Sequence, residues 1–302
     1  DLKILSVNAG SSSLKFQLYE MPEEKVLISG LMERIGVGNS FYTIKVNGEK
    51  IKKEVELNNH EEAFETLVKE LEENNVVESL DEIEGIGHRV VQGGDYFDKT
   101  VVIDDEVLAK IDELSSLAPL HNPAAVTGIK AAKDVFPNAV QTAVFDTAFH
   151  QTMPKENFLY ALPISWYTDL KVRRYGAHGT SHKFVSQRMN EILKRDDTKI
   201  ITCHIGNGAS VSAVLNGKCV NTSMGLTPNA GLIMGTRCGD IDASIIPYVM
   251  EKTNMSPKEI DNAINKESGL LALSRKSSDS RDIEDGIASG DENCILAQKM
   301  YV

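Results

Sequence analysis

Residues 7–16 read VNAGSSSLKF, and the reading of this stretch decides the fold. Ile4, Leu5 and Val7 lead into it as one apolar strand, and Leu14, Phe16 and Leu18 leave it at alternate positions, as a second strand with one buried face. Only small residues stand between them. Such a turn is either an ordinary hairpin connection or a place where backbone N–H groups converge on an anion, unobstructed by side chains. The pattern returns in the second half: KILSVNAGSSSLKFQL (Lys3–Leu18) lies on KIITCHIGNGASVSAV (Lys199–Val214) without a gap. One strand–turn–strand unit per half predicts two similar α/β domains, residues 1–149 and 150–302, facing a cleft. The turns Asn8–Ser13 and Gly206–Ser210 would then approach the same ligand.

The bulk numbers agree with two domains of ordinary size: 302 residues, 41% of them hydrophobic. A net charge of −12 argues against general binding to nucleic acid or to an anionic membrane. No apolar run approaches membrane-spanning length, and the start, DLKILSVNAG, lacks a signal-peptide pattern. Cys203, Cys219, Cys238 and Cys294 have no paired metal spacing and read as reduced thiols of a cytosolic protein.

Further along, Val26–Met32 reads as a third strand, and His60–Asn74 as a helix with Ala63, Phe64, Leu67, Val68 and Leu71 on one face. A buried strand follows near Ile83–Val90, then the Gly93-Gly94 corner. Asp104–Leu117 reads as a second amphipathic helix and Ala139–Phe145 as a strand ending at Asp146. His182–Lys194 is expected as a helix with Phe184, Val185, Met189, Ile192 and Leu193 inward. Ser256-Pro257-Lys258-Glu259 has the form of a capping box.

Several constellations carry chemistry. In GHRVVQGG (Gly87–Gly94), Arg89 either pairs with a structural carboxylate or clamps an anionic ligand with its planar fork. Asp146, in FDTAFH, is a helix cap or a ligand group at a strand end. His121 lies between prolines in APLHNP, His178 among small residues in RRYGAHGTSH, and Arg237 in the glycine corner MGTRCGDID. SSDSRDIE (Ser277–Glu284) leads into a helix. Lys15 offers a point charge to a phosphate. There is no GxSxG elbow, HExxH, EF-hand, CxxC or Walker-type loop.

Taken in order, VNAGSSSLKF, GHRVV-GG, APLHNP, VFDTAFHQTMP, RRYG-HGTSH, TCHIGNGAS, NTSMGLTP and MGTRCGDID resemble the acetate kinase (acetokinase) family, over Leu2 to Val302. The resemblance implies two ribonuclease-H-like domains of the actin/Hsp70 type. It implies reversible, direct in-line phosphoryl transfer from ATP to a short carboxylic acid, giving an acyl phosphate and ADP, with Mg²⁺ or Mn²⁺. By the same resemblance Arg89, Asp146, His178 and Arg237 are catalytic. Arg89 also binds the acid, with Val91, Leu120 and Pro228 as its apolar wall. Asn8 sits near the metal. Lys15 and the turn His204, Ile205, Gly206, Asn207, Gly208 face the nucleotide phosphates, and Asp279, Ser280 and Arg281 approach the adenosine. A cytoplasmic homodimer is implied for the full-length protein.

Against the family pattern, Ala177 stands in place of Phe, Gln92 of His, Asn229-Ala230 of Leu-Glu, Ala243 of Pro and Arg275 of Gly, and Ser280 replaces an apolar or aromatic residue. The loss at Ala177 would enlarge the acid pocket toward propionate or butyrate. Family members continue past CILAQKMYV, so the second domain reads as incomplete. The alternatives are a propionate or butyrate kinase, and a truncated nucleotide-binding module without turnover.

Overall fold

A computed structural model describes residues 1–302. Its contacts divide the chain into two units, Asp1–Ala148 and Phe149–Val302.

The first unit is built on the opening hairpin. β1 (Leu2–Ala9) pairs antiparallel with β2 (Leu14–Met21), and Asn8 faces Lys15 across the turn. The sheet widens outward through β3 (Lys25–Glu33), β4 (Phe41–Val46) and β5 (Glu49–Glu54), each antiparallel to its neighbour. On the other side β1 runs parallel to β6 (Ile83–Val90), and β6 parallel to β8 (Val140–Phe145); β7 (Val101–Val102) closes the edge. The eight strands therefore lie in the order β5-β4-β3-β2-β1-β6-β8-β7. Parallel neighbours require helical crossovers. These are the helix His60–Glu73 between β1's side of the sheet and β6, and the helices Asp105–Glu113 and Asn122–Val135 before β8.

The alternation in the sequence predicts which face is buried. Leu5, Val7, Leu14, Phe16 and Leu18 pack with Ala63, Phe64, Leu67 and Leu71 of the first helix. A second cluster sits under the Gly93-Gly94 corner, where the rings of Phe97 and Phe145 stack at 4.4 Å. The strands at 25–33, 83–90 and 140–145 and the first helix occur where periodicity places them. The expected helix at 104–117 is shorter: Asp104 caps it, and after Glu113 the chain tightens into a 3₁₀ turn, Leu114–Ser116.

The second unit carries a three-stranded antiparallel sheet, β9 (Lys199–Ile205), β10 (Ala209–Leu215) and β11 (Lys218–Thr222), ordered β11-β10-β9. Its hairpin repeats the first, with one difference. His204 faces Ser210, six residues on, whereas Asn8 faces Lys15, seven on. The second turn is one residue tighter than the gapless overlay requires, so the two hairpins correspond as elements but slip in register.

One expectation is overturned. The helix Gly179–Leu193 forms, but Phe184, Val185, Met189, Ile192 and Leu193 are 39–69% exposed. The buried side is His182, Ser186 and Asn190, spaced i, i+4, i+8. These polar groups have partners inward: His182 meets Thr202 and Ser210, and Asn190 accepts from Thr198 at 2.6 Å. The helix thus meets its own sheet through hydrogen bonds rather than through its apolar stripe. The Ser256 capping box is present as expected, at the start of the helix Pro257–Lys266. No helix is long and apolar enough to cross a membrane.

Candidate active site

In the first unit the parallel strands bring their carboxyl ends to one edge of the sheet. Asn8 lies near the end of β1, Arg89 near the end of β6, and Asp146 follows β8 directly. Loops at this edge are where open α/β sheets bind ligands. Asp146 is buried, and Arg89 holds it in a fork: Nε donates to Oδ1 at 3.0 Å and Nη2 to Oδ2 at 2.7 Å. The bidentate pair raises the Arg89 pKa further above its already high value. The Arg89 side chain is still 47% exposed. Its pairing with a carboxylate, one of the two readings open from sequence, is therefore present, and solvent access to the guanidinium remains.

The corner after Arg89 is pinned by a residue that the sequence reading passed over. Asn122 is fully buried; its Oδ1 accepts from Gln92 N at 3.1 Å, and its Nδ2 donates to Gln92 O at 2.9 Å and Ile111 O at 3.1 Å. Gly94 N donates to Gln92 Oε1 at 2.7 Å, and Gly93 N to Thr147 Oγ1 at 2.9 Å. Gln92 thus serves as a staple for the corner. Val91 is half-buried and Leu120 exposed. The signal for Asn122 was its place before Pro123 at a helix start, but its partners are distant in sequence.

The Gly10–Ser13 turn closes with Gly10 N donating to Ser13 O at 3.0 Å. Buried His60 fixes it, with Nε2 at 2.8 Å from Gly10 O and 3.1 Å from Ser13 O. Both partners are carbonyls, so Nε2 must be the donor. Lys15 is exposed beside the turn. No three His, Cys, Asp or Glu side chains gather as a metal cage. Magnesium is ordinarily held by one or two carboxylates together with substrate phosphates and water. The amide oxygen of Asn8 and the carboxylate of Asp146 are hard donors that suit that mode.

In the second unit the residues around the β9–β10 turn converge. His178 stands at the start of the helix Gly179–Leu193 in the left-handed region, φ +60°, which is costly for a residue with a side chain. Its ring stacks on His204 with centroids 4.0 Å apart. A methyl group added to Gly208 would lie 3.0 Å from Arg237 Nη1, which would have to give by a few tenths of an ångström, and 3.5 Å, an ordinary contact, from His178 Nε2. Arg237 Nη1 donates to Pro228 O at 3.0 Å. No carboxylate pairs with Arg237, and burial alone pulls its pKa down. A half-buried cation with no counter-charge, beside a glycine turn, is an arrangement that awaits an anion.

The Arg237 corner is held from behind. Gly235 N donates to Asn207 O at 3.2 Å, Ser268 N to Thr236 O at 2.9 Å and Cys238 N to Ile264 O at 3.0 Å. Gly269, at φ +63°, approaches the Met234 carbonyl too closely for any side chain. Asn229 joins this framework, its Nδ2 donating to Ile264 O at 3.1 Å and Asn265 Oδ1 at 3.0 Å. Ala177 is buried with Ala209, Met224 and Met234, its methyl in a small core cluster. Asp279 caps the helix Ser280–Ala288 and is forked by Arg281, which holds its carboxyl at about 2. Ser280 and Arg281 are exposed, and Ser278 O lies near Gly235.

Residues 3–302 match the model of the acetokinase family. The chain is 55% identical over 301 residues to an acetate kinase of Macrococcus caseolyticus, covering 99% of this chain and 76% of that protein. It is 53% identical to acetate kinase 2 of Listeria monocytogenes, with the same coverage. Among solved structures, Porphyromonas gingivalis acetate kinase superposes with a TM-score of 0.95 at 46% identity, over 100% of this chain and 77% of that one. A propionate kinase from Francisella tularensis gives 0.95 at 44% identity, with the same coverage.

Proposed function

The chain belongs to the acetokinase family, and from that premise we propose that it transfers the γ-phosphoryl group of ATP reversibly to acetate, giving acetyl phosphate and ADP. A carboxylate oxygen of acetate forms the new bond to phosphorus, and the bond to the β-phosphate oxygen breaks. Acetate is already ionised at neutral pH, so no proton need be removed. What the protein must supply is alignment and charge stabilisation.

Arg237 carries the reading: it is a desolvated guanidinium without a carboxylate partner, ready to take charge that builds on the equatorial phosphoryl oxygens. His178, packed on the same glycine turn, donates to those oxygens. The His204–Gly208 turn and Lys15 receive the nucleotide phosphates, and the segment Asp279–Arg281 the adenosine. Arg89 orients the acid carboxylate with donors beyond the two that Asp146 occupies. Val91, Leu120 and Pro228 meet the methyl group. On this reading residues 1–149 serve chiefly the acid and residues 150–302 the nucleotide. Magnesium, held by Asn8 and Asp146 with the nucleotide, would neutralise charge on the phosphates. A cytoplasmic location, consistent with four free cysteines, and a homodimer belong to the same proposal.

The test is ATP- and Mg²⁺-dependent acyl phosphate formation, trapped as hydroxamate, with acetate, propionate and butyrate side by side. Acetate is expected to rank first. No hydroxamate from any acid would overturn the reading.

A further inference from the structure

Behind His178 runs a line of buried polar groups that the proposed reaction leaves unexplained. Thr202 on β9, Ser210 on β10 and His182 on the helix Gly179–Leu193 are each at most 2% exposed. Thr202 Oγ1 lies 2.6 Å from His182 Nδ1, His182 Nε2 lies 2.8 Å from Ser210 Oγ, and Ser210 Oγ lies 2.8 Å from His178 Nδ1. Each hydroxyl has one proton to donate, and each neutral imidazole has one. Burial, with the neighbouring His204, holds the His182 pKa at about 4, so this ring is neutral at ordinary pH. Because the buried Ser210 hydroxyl must also place its own proton on one of the two rings, the line runs in one of two directions, and the direction decides which nitrogen of His178 bears hydrogen.

The far end sets it. Thr202 has two acceptors for its proton, His182 Nδ1 at 2.6 Å and the Ser212 carbonyl at 3.5 Å. The second is at the outer limit of a hydrogen bond, so the proton goes to Nδ1. His182 must then carry its own hydrogen on Nε2 and donate it to Ser210. Ser210 in turn donates to His178 Nδ1. Neutral His178 is left with hydrogen on Nε2, the nitrogen that lies toward Gly208 and Arg237.

We propose that Thr202, His182 and Ser210 are positioning residues that fix the tautomer of His178, so that an uncharged imidazole presents an N–H to an anionic oxygen. This rests on the reading of His178 as a donor to the transferred phosphoryl group. The relay spares the site a dependence on protonation of His178, since the donor exists in the neutral ring.

Protein labelled with ¹⁵N at histidine would be read by long-range ¹H–¹⁵N correlation at about pH 8.5, well above the usual imidazole value. His178 is assigned from the signals lost in His178→Ala. The expected result is the Nε2–H tautomer; a bare Nε2 on His178, or an even mixture, overturns the proposal. Thr202→Val keeps the shape and removes the proton. It should mix the His178 tautomers and lower kcat about tenfold with KM for both substrates little changed, and Thr202→Ser should restore both. A valine variant with the parent's tautomer, whatever its rate, refutes the relay. Should His178→Ala turn over as fast as the parent, the reading of His178 fails separately, and the tautomer spectrum still judges the relay.

Discussion

Arg237→Ala separates a catalytic arginine from a structural one, because its two costs can be worked independently. On the structural side little is lost. The guanidinium gives up one hydrogen bond to Pro228 O at 3.0 Å and a weak contact to Met234 Sδ at 3.7 Å. That is about 1 kcal/mol. Against it stands relief of a desolvated cation that no carboxylate compensates, visible in its lowered pKa. The two oppose each other, so the melting temperature should move by no more than about 3 °C. On the catalytic side, losing one preorganised donor at a developing charge costs about 10²–10³ in kcat, and an arginine on a transferring phosphoryl group about 10³–10⁵. A fall of about 10³, roughly 4 kcal/mol, is expected. Arg237→Lys keeps the charge but not the planar fork and should fall between. Initial rates of hydroxamate formation at saturating ATP and acetate, beside thermal melts, measure both. An alanine variant turning over within about threefold of the parent would refute the assignment. A variant melting more than about 10 °C lower would show instead that Arg237 holds the fold.

Gly208→Ala should act through the same guanidinium. Its methyl would press Arg237 Nη1 at 3.0 Å without straining the backbone, so kcat should drop about tenfold while the melting temperature holds. Asn122→Ala strips partners from Gln92 N, Gln92 O and Ile111 O in a buried corner; a loss of about 2–4 kcal/mol in denaturant unfolding, with a raised KM for the acid, is expected. His88 is buried against Gln141, and burial holds its pKa at about 4, below its ordinary value of 6.5. Its folded form stays neutral while the unfolded chain takes up a proton, so its contribution is complete above pH 6.5 and is lost as pH falls toward 4. The difference is about 3 kcal/mol. His88→Leu should flatten the fall in melting temperature over that window, and an unchanged slope would sink the assignment.

Periodicity made the core of the first unit legible, because β1, β6 and the helix His60–Glu73 each bury a mostly apolar face, interrupted only by His88 on β6 and by His60 and Glu70 on the helix. The β4–β5 hairpin went unread although it carries a strong signal. Asn47-Gly48, both at positive φ, connects two alternating runs in the manner of the favoured two-residue turn. The helix Gly179–Leu193 misled for a physical reason. Its apolar stripe is real, but the face that turns inward is the one whose His182 and Asn190 find partners on and beside β9. A pattern of apolar residues cannot register hydrogen bonds to residues twenty positions away. The same blindness hid Asn122 and His60, whose partners are backbone atoms 11 to 50 residues distant. Though their roles come only from the resemblance to the acetokinase family, residue types and glycine spacing leave a mark at Arg89, Asp146, His178 and Arg237. The residues that hold them in place leave none.

The two arginines show what structure adds to such a list. In sequence they look alike, each a cation in a glycine-rich corner at a strand or loop end. In the folded chain they are in different electrostatic states. Arg89 is bound on two of its donors by Asp146, so its position is fixed by a charge the protein itself supplies. That pair is already neutral overall, which suits the role proposed for Arg89, orienting an ionised acid without trapping it. Arg237 has no such partner and bears its desolvation unrelieved. It gains most when negative charge arrives beside it, and gains more as that charge grows. Differential stabilisation of this kind is what lowers a barrier rather than merely tightening binding. On the proposed function the compensated arginine would position and the uncompensated one would catalyse, a division that their partners favour and the sequence alone leaves open.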